Sequence, residues 1–449
     1  MRTPAFLLMG LLLPGLLWGA PAKPRVIVLA NVSTFVAGKP DTDASQSLLR
    51  LLLYSHALDL EVLVASSMLE IEQRVRPELI RGAITEYAKV RRSLLLHAAD
   101  YPAPERLARA VKSGQPFASL TTRVNDSIGR THDTEASEAI IAAGDDPDPR
   151  PIWVCALGGT ADFAQALWKV RATRTEGDML AFSHKFRLHA IGDQDSTGPW
   201  LRDNFPTLRI VRREAASRGM YRGGDPALVS SAWVEEQVRQ GHGAIGENYP
   251  DYRGSDPLGP VAGVKESASV TFLALIPNGL NVPEETALSS WGGRFEGPEL
   301  RPVEAPGASP SADGSDPRFT SVHRWRRAVQ HDFAARLDWC VKSFRNANHA
   351  PEGRIAGEPL RTARAGETLE LDATGSQDPD ENHLTYEWQI DLPPEVAHGC
   401  TFAAADQGKT TLTLPTDLRL RELPILLSVR DDGTPALEGY ARVKVTIAR

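Results

Sequence analysis

Acidic side chains lie near the ends of two predicted strands, at places where α/β proteins hold their ligands. Asp43 lies in the loop after the strand at 25–31, while Asp193 ends the strand at 186–193 and Asp195 follows it. Carboxylates at the carboxyl ends of strands can hold a divalent cation, or can take a proton from an attacking water. The sequence therefore predicts a metal-dependent catalytic cleft or a degenerate form of one.

The second of these loops also suits a sugar. In "GDQDSTGPW", the acids Asp193 and Asp195 precede Trp200. Carboxylates accept hydrogen bonds from sugar hydroxyls, and an indole face stacks on a pyranose ring. The same segment suits the start of a helix, since Asp195 or Ser196 could accept hydrogen bonds from free backbone N–H groups. Both interpretations stay open at this point.

Further candidates lie in "GGTADF", "PNGLN" and "SWGGRF". Asn278, Trp291 and Arg294 could face a ligand, although tight turns explain the glycines beside them equally well. Gly158 and Gly159 precede a predicted helix and could present N–H groups to an anion. The chain has no GxGxxG motif with a lysine at this place, which argues against nucleotide binding.

Apolar strands alternate with amphipathic helical patterns through most of the chain. This alternation predicts an α/β fold, a mostly parallel sheet with helices on both faces. The clearest strands are 25–31, 60–67, 151–159, 186–193, 208–213 and 269–276, and the clearest helices are 44–58, 161–172 and 226–240. Since the carboxyl ends of parallel strands share one edge, we expect a cleft that gathers Asn31, Asp43, Gly158, Gly159, Asp193 and Asp195.

The pattern changes near residue 296. A Pro/Gly/Ser-rich stretch at 296–320 predicts an exposed loop. The segment at 323–344 predicts an amphipathic helix that packs back onto the first domain. Its expected apolar stripe consists of Val329, Phe333, Leu337 and Val341.

From about residue 357 the apolar residues alternate with a period of two. Five short alternating segments separated by turn residues predict an all-β, immunoglobulin-like sandwich. Trp388 is expected in its core. Asp378, Asp380 and Glu381 lie in a predicted turn, where they could bind Ca²⁺ or simply form the turn.

Composition and the first residues bound the remaining possibilities. The 449 residues carry a formal charge of -7, which argues against a nucleic-acid partner. Arg2, an apolar run and the small residues "APA" resemble a secretory signal. We expect a secreted or periplasmic protein without a membrane span. Cys155, Cys340 and Cys400 are far apart and odd in number, which favours free thiols, although one disulfide could form in an exported protein. The expected divisions are a signal segment at 1–22, an α/β domain at 23–350 and a β-sandwich at 357–449.

Six blocks of the sequence resemble, in order, the nucleoside-hydrolase-like domain first described in bacterial cellulose-binding proteins. The blocks are 47–67, 153–170, 190–206, 276–284, 290–296 and 331–341. The predicted β-sandwich is similar to the C-terminal domain that accompanies it. The resemblance covers most of residues 25–449, and it implies the fold of the nucleoside N-glycosidases.

The resemblance also implies where a metal site would lie. In the parent enzymes aspartates bind Ca²⁺ at the end of the first strand and late in the sheet, and an aspartate takes the proton of the attacking water. The corresponding positions here are Asn31, Asp43, Ala44 and Ala268, so that only Asp43 keeps its carboxylate. Losing three carboxylates removes most of the charge that attracts a divalent cation. We therefore expect no cofactor, with Ca²⁺ bound only if this degenerate site is still competent.

Two functions are compatible with these features. The first is a secreted, cellulose-binding-like protein whose degenerate nucleoside-hydrolase-like domain binds a poly- or oligosaccharide without cutting it. Its candidate ligand-binding residues are Asn31, Trp200, Asn278 and Trp291. The alternative is a hydrolase of N-glycosyl bonds in which Asp43, Asp193 or Asp195 is catalytic in an altered arrangement. The missing carboxylates favour the first.

Overall fold

The computed structural model describes residues 22–67, 71–296, 301–302, 317–393 and 395–448. The predicted signal segment, apart from Ala22, and most of the predicted loop at 296–320 therefore lie outside the described residues. Within the described ranges, every helix is too short or too polar to cross a bilayer.

A parallel sheet forms the centre of the first domain, which confirms the predicted α/β fold. Its strands are β1 (Arg25–Ala30), β2 (Asp59–Ala65), β3 (Val111–Ser113), β4 (Ile152–Ala156), β5 (Phe186–Ala190) and β6 (Arg209–Arg212). Within the described part of the chain they form one six-stranded sheet in the order β3-β2-β1-β4-β5-β6, and all neighbours are parallel. The central strand β1 is completely buried, whereas the edge strand β3 has only three residues.

Helices cover both faces of this sheet and create two separate apolar cores. Val26 and Val28 of β1 lie in one core, and Ile27 and Leu29 lie in the other. This explains why the strand reads as a continuous apolar run rather than an alternating one. The helices are α1 (Asp43–Leu53), α2 (Pro77–Leu94), α3 (Pro104–Ala110), α4 (Glu135–Asp145), α5 (Ala161–Thr173), α6 (Glu176–Ser183), α7 (Thr197–Asn204), α8 (Ser231–Val234), α9 (Gly243–Glu247), α10 (Val270–Leu273), α11 (Pro317–His323) and α12 (Arg326–Trp339).

The segment at 269–276, which the sequence predicted as a strand, is helical, and that prediction was wrong. A 3₁₀ turn at 267–269 leads into the short helix α10. All residues of α10 are buried, so the segment shows no polar face from which a helical period could be read. The carbonyl of Thr271 in this helix is 3.0 Å from Nδ1 of His189 in β5.

Two predicted helices are interrupted. The segment at 226–240 divides into a 3₁₀ turn at 226–229, α8 and a π-helical turn at 235–239. The segment at 323–344 belongs to α11 and α12, which ends at Trp339. Val341, expected on the buried stripe, is 47 % exposed because it lies beyond that end.

A β-hairpin that the sequence did not indicate lies beside the loop after β1. It consists of β7 (Tyr252–Asp256) and β8 (Gly259–Gly263). The N–H of Gly38 donates to the carbonyl of Asp251 at 2.8 Å, which ties the loop to the start of the hairpin. A smaller antiparallel pair follows, β9 (Phe295–Glu296) with β10 (Arg301–Pro302).

The last part of the chain forms the predicted β-sandwich. Its strands are β11 (Leu360–Arg364), β12 (Thr368–Asp372), β13 (Thr385–Ile390), β14 (Thr401–Phe402), β15 (Lys409–Thr413), β16 (Glu422–Arg430) and β17 (Glu438–Ala448). In the described residues they form one sheet of order β11-β17-β16-β13 and another of order β12-β15-β14. Trp388 is buried between them, as predicted. Oδ1 of Asp378 accepts N–H groups of the same acidic turn, which is the contact of a turn former.

A buried polar contact joins the two domains. Asp391, directly after β13, accepts hydrogen bonds from the N–H (2.9 Å) and the hydroxyl (2.6 Å) of Ser289. Arg442 of β17 donates to Asp391 at 2.5 Å and to the carbonyls of Ser289 and Leu280. Two charged side chains of the β-sandwich, Asp391 after β13 and Arg442 in β17, therefore hold it to the α/β domain.

Candidate functional site

The loops after β1, β4 and β5 meet at the carboxyl edge of the sheet. A Cβ added to Gly158 would lie 2.7 Å from Cγ of Asn31, and one added to Gly159 would overlap Oδ2 of Asp195. Any side chain at these two positions would displace its neighbour, so the close approach requires glycine. The structure thus brings Asn31, the glycine pair and Asp195 together, as the strand order implies.

Asp43, the first residue of α1, is held by two side chains of a later segment. Its Oδ2 accepts a hydrogen bond from Oγ of Ser267 at 2.5 Å, and Nζ of Lys265 lies 3.9 Å away. Burial acts to lower the pKa of Lys265, but the Asp43 carboxylate and the Tyr252 hydroxyl together raise it above its usual value. The ammonium is therefore charged at neutral pH, and it compensates the carboxylate as a bound cation would.

The other positions of the expected metal site carry no charge. Ala44 is 6 % exposed and Ala268 is completely buried. Asn31 is half-buried, and its Oδ1, like Oδ1 of Asp43, has no hydrogen-bond partner among the described residues. These two oxygens are too few for Ca²⁺, which takes about six to eight. The described residues contain no group of three His, Cys, Asp or Glu placed to hold a metal ion. The side chains present do not fit calcium.

A buried charge network precedes Ser267 directly. Glu266 is fully buried, has a left-handed backbone (φ 36°) and forms an ion pair with the buried Arg50. Its carboxylate also accepts hydrogen bonds from the hydroxyls of Tyr249 and Ser269. A non-glycine residue in this backbone region is strained by about 1–2 kcal/mol. The network offsets that strain and fixes the position from which Ser267 reaches Asp43.

Asp193 is paired with two arginines. Nη1 and Nη2 of Arg202 donate to its two oxygens at 2.7 and 2.8 Å, and Arg212 lies 3.4 Å away. The bidentate pair ties the loop after β5 to α7. Both oxygens of this carboxylate are therefore occupied by charge-assisted hydrogen bonds.

Asp195 caps the beginnings of two helices. It is 1 % exposed, and its Oδ2 accepts the N–H groups of Thr160 (2.8 Å) and Ala161 (3.1 Å) at the start of α5. Its Oδ1 accepts the N–H (2.9 Å) and the hydroxyl (2.6 Å) of Thr197 at the start of α7. Burial raises the pKa of Asp195, and these hydrogen bonds oppose the rise. The contacts are those of the capping interpretation.

Asp162, in the first turn of α5, was not among the predicted site residues. It is buried and accepts hydrogen bonds from the N–H of Gln115 at 2.9 Å and the hydroxyl of Thr134 at 2.7 Å. Burial raises its pKa to about 6. An acid in the first turn of a helix is common enough that its position gave no reason to select it.

The remaining predicted residues are used in packing or in turns. Trp200 packs edge-on against Phe205, with ring centroids 5.7 Å apart. Oδ1 of Asn278 accepts two backbone N–H groups and closes a turn. Trp291 is 2 % exposed and belongs to the main core. Among the described residues, no hydrogen bond or ring contact joins these three side chains to Asn31 or Asp43.

The loops at the carboxyl edge also carry exposed apolar side chains, which no sequence pattern distinguishes from other loop residues. The loop after β3 reaches the Asp195 loop, since the N–H of Ser196 donates to the carbonyl of Ser119 at 3.0 Å. An exposed aromatic ring beside polar loops is a surface on which a sugar ring can stack. The exposed apolar residues of the loops after β1, β2 and β3 are Val36, Ile71, Phe117 and Leu120.

Comparisons with known proteins agree with the observed architecture. Residues 25–295 match the family described as cellulose-binding Sde182, nucleoside hydrolase-like domain. Residues 368–447 match the C-terminal domain of cellulose-binding protein Sde0182. No curated protein matches the sequence of this chain.

One solved structure gives the same result for the fold. A nucleoside hydrolase-related hypothetical protein from Saccharophagus degradans, described as associated with carbohydrate metabolism, is 28 % identical with a TM-score of 0.78, covering 95 % of this chain and 100 % of that chain. The PKD domain from KIAA 1837 protein is 19 % identical with a TM-score of 0.18, covers 22 % of this chain and 89 % of its own, and supports no conclusion. Since the first family match alone covers more than half of the residues, the chain belongs to the cellulose-binding Sde182 family with a nucleoside-hydrolase-like domain.

Proposed function

We propose that this protein is an exported glycan-binding protein whose nucleoside-hydrolase-like cleft binds a poly- or oligosaccharide and does not hydrolyse N-glycosyl bonds. The observation that carries the proposal is the set of contacts that the Asp43 carboxylate makes. Asp43 is the one carboxylate kept at the expected metal positions, and it is bound by Ser267 and compensated by Lys265.

The three candidate catalytic acids are not arranged to hydrolyse an N-glycosyl bond. A general base has to be ionised and within reach of an attacking water, and in a metal-dependent site the cation positions that water. Asp43 is occupied by a hydroxyl, Asp193 by two arginines and Asp195 by helix N–H groups. Each of these acids thus already has a donor on at least one oxygen, and the side chains around Asp43 do not fit calcium, which supports binding without cleavage.

Two unsatisfied oxygens are suited to hold a sugar. Oδ1 of Asn31 and Oδ1 of Asp43 are buried and have no hydrogen-bond partner in the part of the chain that the structure describes. Leaving such an acceptor unpaired costs about 1–3 kcal/mol, which a ligand hydroxyl donating to it would recover. Phe117 is exposed on a loop of the same edge and offers its face to a ring. The family match supports a polysaccharide as the ligand, since it is described as cellulose-binding.

The export part of the proposal rests on the first residues. Arg2, an apolar run and the small residues before Ala22 are typical of a secretory signal. Cellulose is an extracellular polymer, so a protein that binds it has to leave the cell. N-terminal sequencing of protein recovered from the medium or periplasm tests this part, and a chain that keeps Met1 inside the cell contradicts it.

One experiment tests binding and cleavage together. The purified protein is incubated with insoluble cellulose, with chitin and with a panel of nucleosides. We expect depletion of the protein from solution onto one polymer, without release of free base or reducing sugar. Release of either product would support the hydrolase and overturn the proposal.

Variants locate the binding surface. Phe117→Ala removes the exposed ring, and Asn31→Ala removes one unsatisfied acceptor, so each should weaken adsorption several-fold. Phe344→Ala is the matched control, because Phe344 is an exposed phenylalanine beyond the end of α12. Equal adsorption by all three variants would place the glycan elsewhere on the protein.

A further inference from the structure

Two histidine rings connect the α/β domain to the β-sandwich. His97 follows α2, and His349 lies in the segment that leads from α12 to the β-sandwich. Nδ1 of His97 is 2.9 Å from Nε2 of His349. Nε2 of His97 is 3.0 Å from the carbonyl of Lys342, and Nδ1 of His349 is 3.0 Å from both carboxylate oxygens of Asp380. A row of hydrogen bonds therefore runs from the end of α12 to the acidic turn of the β-sandwich.

Aromatic side chains hold both imidazoles in place. The indole of Trp339 lies parallel to the ring of His97, with planes 3° apart and centroids 5.1 Å apart. The ring of Phe344 stacks on His349 at a centroid distance of 3.9 Å. His349 is 6 % exposed, and its backbone N–H also donates to Asp380, at 2.7 Å. The contact between the two histidines is therefore part of a packed junction.

Both ends of the row accept hydrogen bonds and do not donate them. A carbonyl only accepts, so Nε2 of His97 carries a proton, and an ionised carboxylate only accepts, so Nδ1 of His349 carries another. The contact between the rings needs a third proton, but two neutral imidazoles carry only one each. The complete row therefore holds one proton more than two neutral histidines beside an ionised Asp380.

The extra proton belongs to the Asp380 side of the row. Burial lowers the pKa of His97, and the carbonyl of Lys342 and the Asp380 carboxylate only partly oppose this effect, so His97 is the neutral ring. His349 then carries both ring protons, with the Asp380 carboxylate as its counter-charge. Since both oxygens of Asp380 contact His349, this acid is a structural partner of the ring and not a calcium ligand.

The charged groups around the row are bonded to partners of their own. At the end of α12, Nζ of Lys342 lies 2.9 Å from Asp338, and Nδ1 of His242 lies 3.4 Å from the other oxygen of the same carboxylate. In the β-sandwich, Asp378 and Asp431 accept hydrogen bonds from neighbouring N–H groups. Burial lowers the pKa of His242, so this histidine also titrates, and a test of the row has to compare the wild type with a variant.

We propose that His97, His349 and Asp380 form a pH-sensitive latch between the α/β domain and the β-sandwich, complete while the row holds its third proton. When that proton leaves at higher pH, two acceptors face each other in one of the three contacts, and that hydrogen bond is lost. Histidines change charge between about pH 5 and 8, so the latch weakens as the pH rises through this range. The latch acts on the junction of the domains and does not depend on glycan binding.

Asp380→Asn tests the latch, because an amide supplies the proton that the row needs. Its NH₂ group can donate to Nδ1 of His349 while its carbonyl accepts the backbone N–H, so every contact forms with two neutral rings. The folded wild type then binds one proton more than the folded variant, whereas the unfolded chains bind equal numbers above about pH 5. The stability of the wild type relative to the variant should therefore fall as the pH rises.

Thermal unfolding of the full chain from about pH 5.5 to about pH 8.5 measures this difference. We expect the unfolding temperature of the wild type, relative to that of Asp380→Asn, to fall by about 2–4 °C over the range. Asp432→Asn is the matched control for the Asp-to-Asn change itself, since Asp432 is exposed in the same domain and accepts only the backbone N–H of His383, at 2.9 Å, among the hydrogen bonds described. Equal pH dependence of the wild type and both variants would overturn the proposal.

If Asp380→Asn does not fold, the ring nitrogens of the wild type decide the matter. Nuclear magnetic resonance of protein labelled with ¹⁵N-histidine, at about pH 7, where free histidines are mostly neutral, shows how many protons each ring carries. The signals of His349 are assigned by their loss in His349→Phe. We expect both nitrogens of His349 to be protonated, and a neutral His349 ring contradicts the latch.

Discussion

The Asp43 carboxylate accepts a hydrogen bond from the Ser267 hydroxyl at 2.5 Å, and this contact joins the start of α1 to the turn before α10. Lys265, two residues before Ser267, brings its ammonium to 3.9 Å from the same oxygen. Lys265 and Ser267 thus contact the carboxylate that, according to the family resemblance, would bind a metal ion. The first two predictions concern this contact.

Ser267→Ala should lower the free energy of unfolding by about 1–2 kcal/mol, because a hydrogen bond to a largely buried charged acceptor is lost. Denaturant unfolding measures the change. Ser33→Ala is the control, since Ser33 donates to the carbonyl of Asp41 on an exposed loop and should cost much less. Equal losses in the two variants would mean that the Asp43 contact contributes nothing specific.

Calcium should not bind the wild type, whereas a variant that combines Asn31→Asp with Ala268→Asp should bind it. By the family resemblance both added carboxylates stand at metal positions together with Asp43, and without metal the one at the buried position 268 is an unpaired charge that destabilises the fold. We therefore expect this variant to melt lower than the wild type and to be rescued by millimolar Ca²⁺. Calorimetric titration checks both proteins, and Asp43→Ala in the variant should remove the rescue. Micromolar binding by the wild type would refute the prediction.

Asp195→Asn should destabilise the protein far more than Asp193→Asn. An amide at position 195 directs an NH₂ group at backbone N–H groups in the interior, which costs about 2–3 kcal/mol. Asp193 keeps part of its contact with Arg202 at a partly exposed site, so its loss should be about 0.5–1 kcal/mol. Urea denaturation of both variants gives the comparison, and a reversed order would exclude the capping role.

Asp162 should make stability depend on pH. Its folded-state pKa of about 6 lies above the unfolded value near 3.9, so between these pH values the folded state binds more protons. The free energy of unfolding should therefore fall as pH rises from about 4 to 6, by about 2–3 kcal/mol, relative to Asp162→Asn. The difference between wild type and variant at each pH is the readout. Asp203→Asn, at an exposed position of α7, is the control for the effect of an Asp-to-Asn change itself.

Asp391→Ala should uncouple the two domains. It leaves Arg442 without its counter-charge at a largely buried site, which costs about 3 kcal/mol. Scanning calorimetry should then resolve two transitions where the wild type shows one. Lys444→Ala removes a more exposed ion pair with Glu285 at the same junction and should keep the single transition. A single transition in Asp391→Ala would show that apolar contacts alone couple the domains.

The fold was readable from the sequence because its signals are local. The apolar run of β1 and the alternating strand around Trp388 each identify an element by their own pattern, and right-handed crossovers then place the carboxyl ends of the parallel strands at one edge. The helix at 270–273 escaped because a segment buried on all sides loses that period. The hairpin β7–β8 escaped because its strands are rich in glycine and have few buried apolar residues.

The site was readable only in part, since its decisive contacts are distant in sequence. Ser267 is 224 positions from Asp43, and Glu266 is 216 positions from Arg50. No spacing rule connects residues so far apart in sequence. The missing carboxylates could therefore be counted, but Ser267 and Lys265, which contact Asp43 instead of a metal ion, could not be identified. The same holds for His97 and His349, which are 252 positions apart.

The edge strands of the parallel sheet bear on how the protein behaves in concentrated solution. An open strand edge invites the backbone of another chain to pair with it, which is how many β-proteins aggregate. Here β3 offers only three residues, and β6 carries Arg209 and Arg212, whose side chains contact Glu284 and Glu214. A short edge and a charged edge both resist such pairing. Adsorption measured at high protein concentration should therefore report affinity for the polymer, not self-association on its surface.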